Sequence, residues 1–381
     1  MRKMKQIGAF CLAAVLASAG SGTVYAGSPE FARTAEEWAG LQDNIMEYGE
    51  LADLIHEYNL TVQKNQLDIS DKKKDGRITS DENAQYYRDA ASDYRDAITG
   101  ENPLSDAQNA VGASNADAQA DNNVEDINVY QMGYDQEEAN LVSSAQTSMI
   151  SYFKQQYELE STKASLEYLQ AVYDSAKAKL NLGTGTQIQV LSAKKDLQDA
   201  NTSIEKLTAS IEETRQNLCI MLGWNYNDTP QIQELPIIDQ EKITSMNPEK
   251  DVEAALKNNY TLNINTRKLE NASSDVTKET LKRTIMNNKQ NISADLVKSY
   301  QSVLMAQSAC EQAKAEMELE KKNLDTAERK YQNSIVSRLE YLKQMNTSNT
   351  KVIAVKTSEL NLLEAVQNYE NAVSGLASTG G

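Results

Sequence analysis

The chain has 381 residues, with 55 acidic side chains against 38 basic ones and a formal charge of -17. A surface of that sign repels phosphate backbones and argues against nucleic acid as a partner. Aromatic residues make up only 6% of the chain, with three Phe and two Trp, so long helices joined through narrow seams fit better than a large α/β core.

Residues 1–26 place Arg2, Lys3 and Lys5 before the apolar run 7–19 and finish at Val24-Tyr25-Ala26. This is the pattern of a secretory signal peptide, so the exported chain is expected to begin near Gly27 with a charge of about -20. Cys11 sits inside the apolar run behind the bulky Phe10 and reads as a discarded residue rather than a lipid anchor. Cys219 and Cys310 remain, on helices from different halves of the chain; packed core thiols are expected, with their pairing left open. No later stretch approaches roughly 18 consecutive apolar residues, and the mean hydropathy is -0.59.

All five prolines, Pro29, Pro103, Pro230, Pro236 and Pro248, lie outside the stretches 131–228 and 249–381, which leaves long helices uninterrupted there. Before the first of them, residues 51–67 form a short amphipathic lead-in, and 71–128 form a polar insertion ending in an Ala, Asn and Asp-rich run, 109–126, expected to be mobile. The ascending helix then shows Leu159, Thr162, Leu166, Leu169, Tyr173, Ala176 and Leu180 at alternating spacings of three and four. That is the 3.5-residue period of a left-handed supercoil. Gly183-Thr184-Gly185 ends this helix and reverses the chain. The descending seam runs through Val190, Ala193, Leu197, Ala200, Ile204, Leu207, Ile211, Thr214, Leu218 and Met221, roughly 50 Å of helix.

An irregular connector, 230–247, separates this unit from a second one that repeats the scheme at an offset of 151 residues. Its lead-in is 252–269, with Asn259-Tyr260-Thr261-Leu262 matching Asn59-Leu60-Thr61-Val62 loosely. Its ascending seam is Val303, Ala306, Cys310, Ala313, Met317, Glu320, Leu324, Ala327 and Tyr331. The turn follows in register, Ser334 opposite Gly183, Ser337 opposite Thr186, Tyr341 opposite Val190 and Leu342 opposite Leu191, and the descending helix ends through Leu362, Val366, Tyr369, Val373 and Leu376. The domain organisation expected is therefore signal peptide 1–26, first helical repeat 27–229, connector 230–247, second helical repeat 248–376 and tail 377–381, an all-α duplicated hairpin.

The double turn, Leu180-x-x-Gly183-x-x-Thr186-x-x-x-Val190-Leu191-x-Ala193 and Tyr331-x-x-Ser334-x-x-Ser337-x-x-x-Tyr341-Leu342, set in register with heptads behind a signal peptide, resembles the TolC outer-membrane efflux family over most of the exported chain. The resemblance implies a homotrimer whose hairpins close into a hollow α-helical cylinder, working with a membrane-fusion adaptor protein and an inner-membrane transporter. It implies adaptor docking at the tips, at Gly183, Thr186, Val190 and Leu191 and at Ser334, Ser337, Tyr341 and Leu342. Gly183 would supply a tight reversal, Thr186 and Ser337 would cap the next helices, and Val190, Leu191, Tyr341 and Leu342 would pack their starts. The family's paired strands of roughly 10 alternating residues have no counterpart: 282–291 leaves room for a turn only, and 71–128 is too polar to face lipid. The expectation is a barrel-less relative of the cell envelope, in the outer membrane if the family rule holds and otherwise wall-associated.

Three features compete for a chemical role. Asp71 to Glu82 copies much of an EF-hand loop, but Lys73 replaces a ligand acid, which favours a polar turn. His56, the only histidine, sits on a lead-in helix and reads as solvated. Pairs such as Glu212-Glu213 or Asp196 and Asp199 are expected on a solvated face. No phosphate loop, nucleotide fingerprint or nucleophile elbow occurs, so neither an enzyme nor a cofactor or metal site is expected. The main alternative to a duct is a secreted or surface coiled-coil protein, which explains heptads and export but not a duplication broken at matching turns.

Overall fold

A computed structural model describes residues 40–380, Gln42 excepted; the expectations for 1–26, Cys11 included, lie outside that span. A two-residue strand β1 (Ile45–Met46) and a helical turn (Tyr48–Glu50) lead into α1 (Leu51–Tyr58) and α2 (Leu60–Lys74). Two helices follow, α3 (Ser80–Asp96) and α4 (Pro103–Asp121), then the long pair α5 (Ile127–Asn181) and α6 (Gln187–Met221). The connector holds strand β2 (Gln231–Ile232), paired in parallel with β1, and α7 (Gln240–Ser245). The second repeat consists of α8 (Pro248–Asn258), α9 (Tyr260–Asn271), α10 (Asp275–Gln332) and α11 (Arg338–Asn371), closed by a wide turn, Ala372–Leu376. Among the described residues the only strands are β1 and β2, and no helix is long and apolar enough to cross a membrane.

The sequence dictates where these helices start. Asn102 and Asn247 each stand before a proline and accept hydrogen bonds from the amides of the following turn, joining an N-cap acceptor to a first-turn proline whose missing N–H costs nothing. Asp126 caps α5 through the Val129 amide. Thr79 and Glu82 form a reciprocal capping box on α3, so Glu82 is engaged as a cap and the EF-hand-like segment forms a polar turn closed at Gly76, φ 69°.

The heptad seams appear as written except at Tyr331, the last position of the α10 seam, which is exposed at 37%. On α10, Val303 and Cys310 are buried and Ala306, Ala313, Met317, Glu320, Leu324 and Ala327 are half-buried, with exposed residues between them. The four long helices lie in the order α6, α5, α11, α10: α5 packs on α6 and α11, and α11 on α5 and α10. A helix with two neighbours must present two faces, and α11 buries Ile353, Leu360, Leu362, Leu363, Val366 and Tyr369. The outer helix α6 buries only Val190, Ala193, Leu218 and Cys219. Ion pairs bridge the two halves along α5 and α11, Lys154–Glu364 at 2.6 Å, Glu160–Lys356 at 3.1 Å and Glu167–Arg338 at 3.1 Å.

Thicker packing lies at the end away from the turns. One cluster joins Met46, Leu51, Leu54, Ile55, Met149, Ile150, Leu218 and Leu222, and a second joins Ile292, Leu296, Val303, Val366, Tyr369 and Ala372; burying each large aliphatic stabilises by roughly 1.5–3 kcal/mol. Cys219 belongs to the first cluster and Cys310 to the second, both as free, buried thiols. The loose motif shared by the lead-ins is a clamp. Asn59 caps α2 and donates to the Met221 carbonyl at the end of α6, at 2.8 Å. Asn259 caps α9 and donates to the Gly375 and Ala377 carbonyls past the end of α11. Each lead-in thus holds the end of its own descending helix.

Three expectations are corrected. The run 109–126 is not loose: α4 covers most of it, with Ala113, Ala116 and Ala120 buried against α3 and Tyr94 lying over Gly112. Second, 282–291 is the interior of α10; the short connection of the second repeat is 272–274, between α9 and α10. Third, His56 is not solvated, its side chain being 16% exposed and its Nδ1 lying 2.8 Å from Glu138 Oε1. That pairing joins α1 to α5 and lies beside a cavity of about 380 Å³ lined by Ile69, Gln131 and Tyr134.

Candidate functional site: the paired turns

The sequence-selected residues fall on two turns at one end of the molecule. Arg338, at the second turn, pairs with Glu167 of α5, and a groove of about 300 Å³ is lined by Ala176, Lys179 and Ala193 of the first hairpin and Leu339 of the second. Three backbone bonds repeat from one turn to the other. Leu182 N–H donates to Ala178 O, Gly183 to Leu180 O and Thr184 to Lys179 O; Asn333 donates to Arg329 O, Ser334 to Tyr331 O and Ile335 to Lys330 O. Each matched pair is 151 residues apart, so the duplication read from heptads extends to single hydrogen bonds.

Both reversals need the left-handed backbone region. Gly183 has φ 70° and Ser334 φ 59°, the latter being the only non-glycine with positive φ among the described residues. For a side-chain-bearing residue this conformation costs roughly 1–2 kcal/mol, and the second turn absorbs that cost while the first avoids it. The first turn also places Gly185 N–H 3.0 Å from Lys179 O, an approach so close that a Cβ on Gly185 would stand 2.9 Å from Lys179 Cβ. Val336 occupies the equivalent place, and there the extra bond is missing.

Thr186 and Ser337 are the N-caps expected of them. Thr186 Oγ1 accepts from the Gln189 amide, with Gln189 returning a bond to Thr186 N–H, and Ser337 Oγ accepts from the Glu340 amide. Val190 and Leu342 are buried at 8% and 3% exposure. Leu191 differs from expectation: it is 56% exposed, because it follows the seam residue Val190 and points away from α5. Tyr341 packs by stacking on Tyr331, ring centroids 4.9 Å apart and planes 7° from parallel. Leu182, Ile188 and Ile335 are exposed at 78%, 78% and 70%; sequence reading passed over them because they lie off the seam. Among the described residues no group of three or more His, Cys, Asp or Glu side chains is placed to hold a metal ion.

No protein-family profile matches the sequence, and no curated protein matches it. Solved structures do. A membrane protein from Pseudomonas aeruginosa aligns with a TM-score of 0.57 at 11% identity, over 86% of this chain and 90% of that one. CusC, a transmembrane channel, aligns at 0.51 and 14%, over 86% and 97%. OprN, an outer-membrane channel, aligns at 0.51 and 12%, over 89% and 92%. The fold is TolC-like. At these identities the likeness is one of architecture: duplicated helical hairpins with paired turns. In this chain the link between α2 and α5 is the helical pair α3 and α4, and the link between α9 and α10 is three residues long.

Proposed function

We propose that this chain is the duct subunit of a tripartite export assembly, non-enzymatic, three copies closing their hairpins into a hollow helical cylinder in the cell envelope. The observation that carries the reading is the row α6, α5, α11, α10, open along both outer helices and ending in two hydrogen-bond-equivalent turns. A row with two unsatisfied edges is completed by other copies of itself, edge to edge, and a cyclic arrangement leaves no edge open. The turn residues Gly183, Thr186, Val190, Leu191, Ser334, Ser337, Tyr341 and Leu342 then form a ring at one end, where a membrane-fusion adaptor protein docks and couples the duct to an inner-membrane transporter. A helical pair, α3 and α4, at the first barrel position and a three-residue link, 272–274, at the second support a duct that reaches through a wall layer without inserting strands into an outer membrane. Light scattering with electron-microscopy class averages on residues 27–381 tests the reading. A trimer with a lumen is expected; a rod-like monomer or dimer without a lumen would replace the duct by a surface coiled-coil protein.

A further inference from the structure

The turn end carries the opposite charge from the rest of the molecule. Residues 177–195 and 329–343 contain Lys177, Lys179, Lys194, Lys195, Arg329, Lys330, Arg338 and Lys343 against a single acid, Glu340, in a chain of formal charge -17. All eight basic side chains are exposed. Asp174, Asp196 and Glu328 mark where the acidic surface resumes, and Arg338 and Lys195 have partners in Glu167 and Asp199. Beyond this basic collar stand the exposed aliphatics: Leu182 and Ile335 at the turns themselves and Ile188 in the first turn of α6.

The layering is informative. Lys179 and Lys330 lie in the last turns of α5 and α10, while Leu182 and Ile335 lie in the reversals that follow, so the ammonium groups arise from the helix ends and the aliphatic side chains from the apex beyond them. A bilayer surface asks for that order, with aliphatic side chains at the headgroup–acyl boundary and Lys and Arg level with anionic headgroups. We propose that the turn end seats on an anionic phospholipid surface, through Lys177, Lys179, Arg329 and Lys330 to headgroups and through Leu182, Ile188 and Ile335 into the boundary layer. The seat uses the end that the duct reading gives to an adaptor, but it needs neither adaptor nor trimer, so the two readings fail separately.

Co-sedimentation of the protein with vesicles tests this. Binding to mixed phosphatidylcholine–phosphatidylglycerol vesicles is expected, with much weaker binding to pure phosphatidylcholine and weakening as salt rises. Lys177→Glu, Lys179→Glu, Arg329→Glu and Lys330→Glu together should weaken it at least about ten-fold. The control, Lys282→Glu with Lys289→Glu, makes charge reversals on exposed residues of the far part of α10 and should retain binding; circular dichroism checks that both stay helical. Replacing Leu182 and Ile335 by Ser should weaken the binding that survives at high salt. No phosphatidylglycerol-dependent binding, or equal loss in the control, overturns the proposal, and the collar then belongs to a partner protein with an acidic face.

Discussion

Gly183 and Ser334 perform one task with different side chains, and the difference has a sign. Each sits where the ascending helix gives out, in the left-handed region. Ser334→Gly should therefore stabilise the chain by about 0.5–1 kcal/mol, and Gly183→Ala should destabilise it by about 1 kcal/mol or more, measured as shifts in urea unfolding midpoints at unchanged slope. Equal effects of both signs at both positions would mean that the turns relax instead of holding φ. The clamp asparagines have a larger stake: Asn259 is 1% exposed and satisfies two carbonyls and one amide. Asn259→Ala would leave those groups unpaired, at a cost of about 1–3 kcal/mol. The turns were legible because Gly183 punctuates a glycine-poor helix. The clamp was visible only as a loose motif, since an Asn before a helix looks the same whether or not its amide reaches another segment.

At the scale of elements, periodicity was the dependable guide: Leu197, Ile204 and Ile211 had to share a face once the 3.5 period held, and they do. What misled was composition. The run 109–126 has little to bury, yet alanine is the best helix former and Asn102-Pro103 supplies a strong start, so α4 forms and packs small side chains against α3. The link at 272–274 was invisible because no proline or glycine marks it. The segment before α5 binds the second repeat through Arg267–Asp126 at 2.6 Å and Lys268–Glu125 at 3.1 Å, with the Asn271 amide on Val124 O. Burial alone would push the Asp126 carboxyl up, but the Val129 amide and the Arg267 guanidinium outweigh it and hold it below the usual carboxylate range. A carboxyl lowered on folding contributes stability in full above its unfolded value near about 3.9, and that contribution fades as pH falls through the lower folded value. Unfolding midpoints should hold steady from neutral to mildly acidic pH and fall below about pH 4. Asp126→Asn should be less stable at neutral pH with a shallower acid loss; an unchanged acid limb would show that other carboxylates govern it.

For the whole molecule, the thinness of the hairpins near the turns is the main physical fact. Between Ala193 and Leu218 on α6, and beyond Cys310 on α10, no residue is buried in the isolated chain. Two-helix seams of that kind bury too little to define a rigid tube, and they gain most from neighbours. The outer face of α10 shows what a neighbour would cover: Met286, Val297, Leu304 and Leu319 are exposed at 62%, 46%, 42% and 61%. Their spacings of eleven, seven and fifteen keep one side of a helix. This stripe lies off the Val303 to Leu324 seam that faces α11, so it is free to meet α6 of another copy. Leu304→Glu with Leu319→Glu puts two carboxylates into that contact while leaving the intramolecular seam intact. The double variant should keep its helicity and its monomer unfolding midpoint but lose assembly, read as a shift to monomer mass by light scattering at concentrations where the parent chain is oligomeric. An oligomer that survives both changes would place the contact between copies elsewhere than on this stripe of α10.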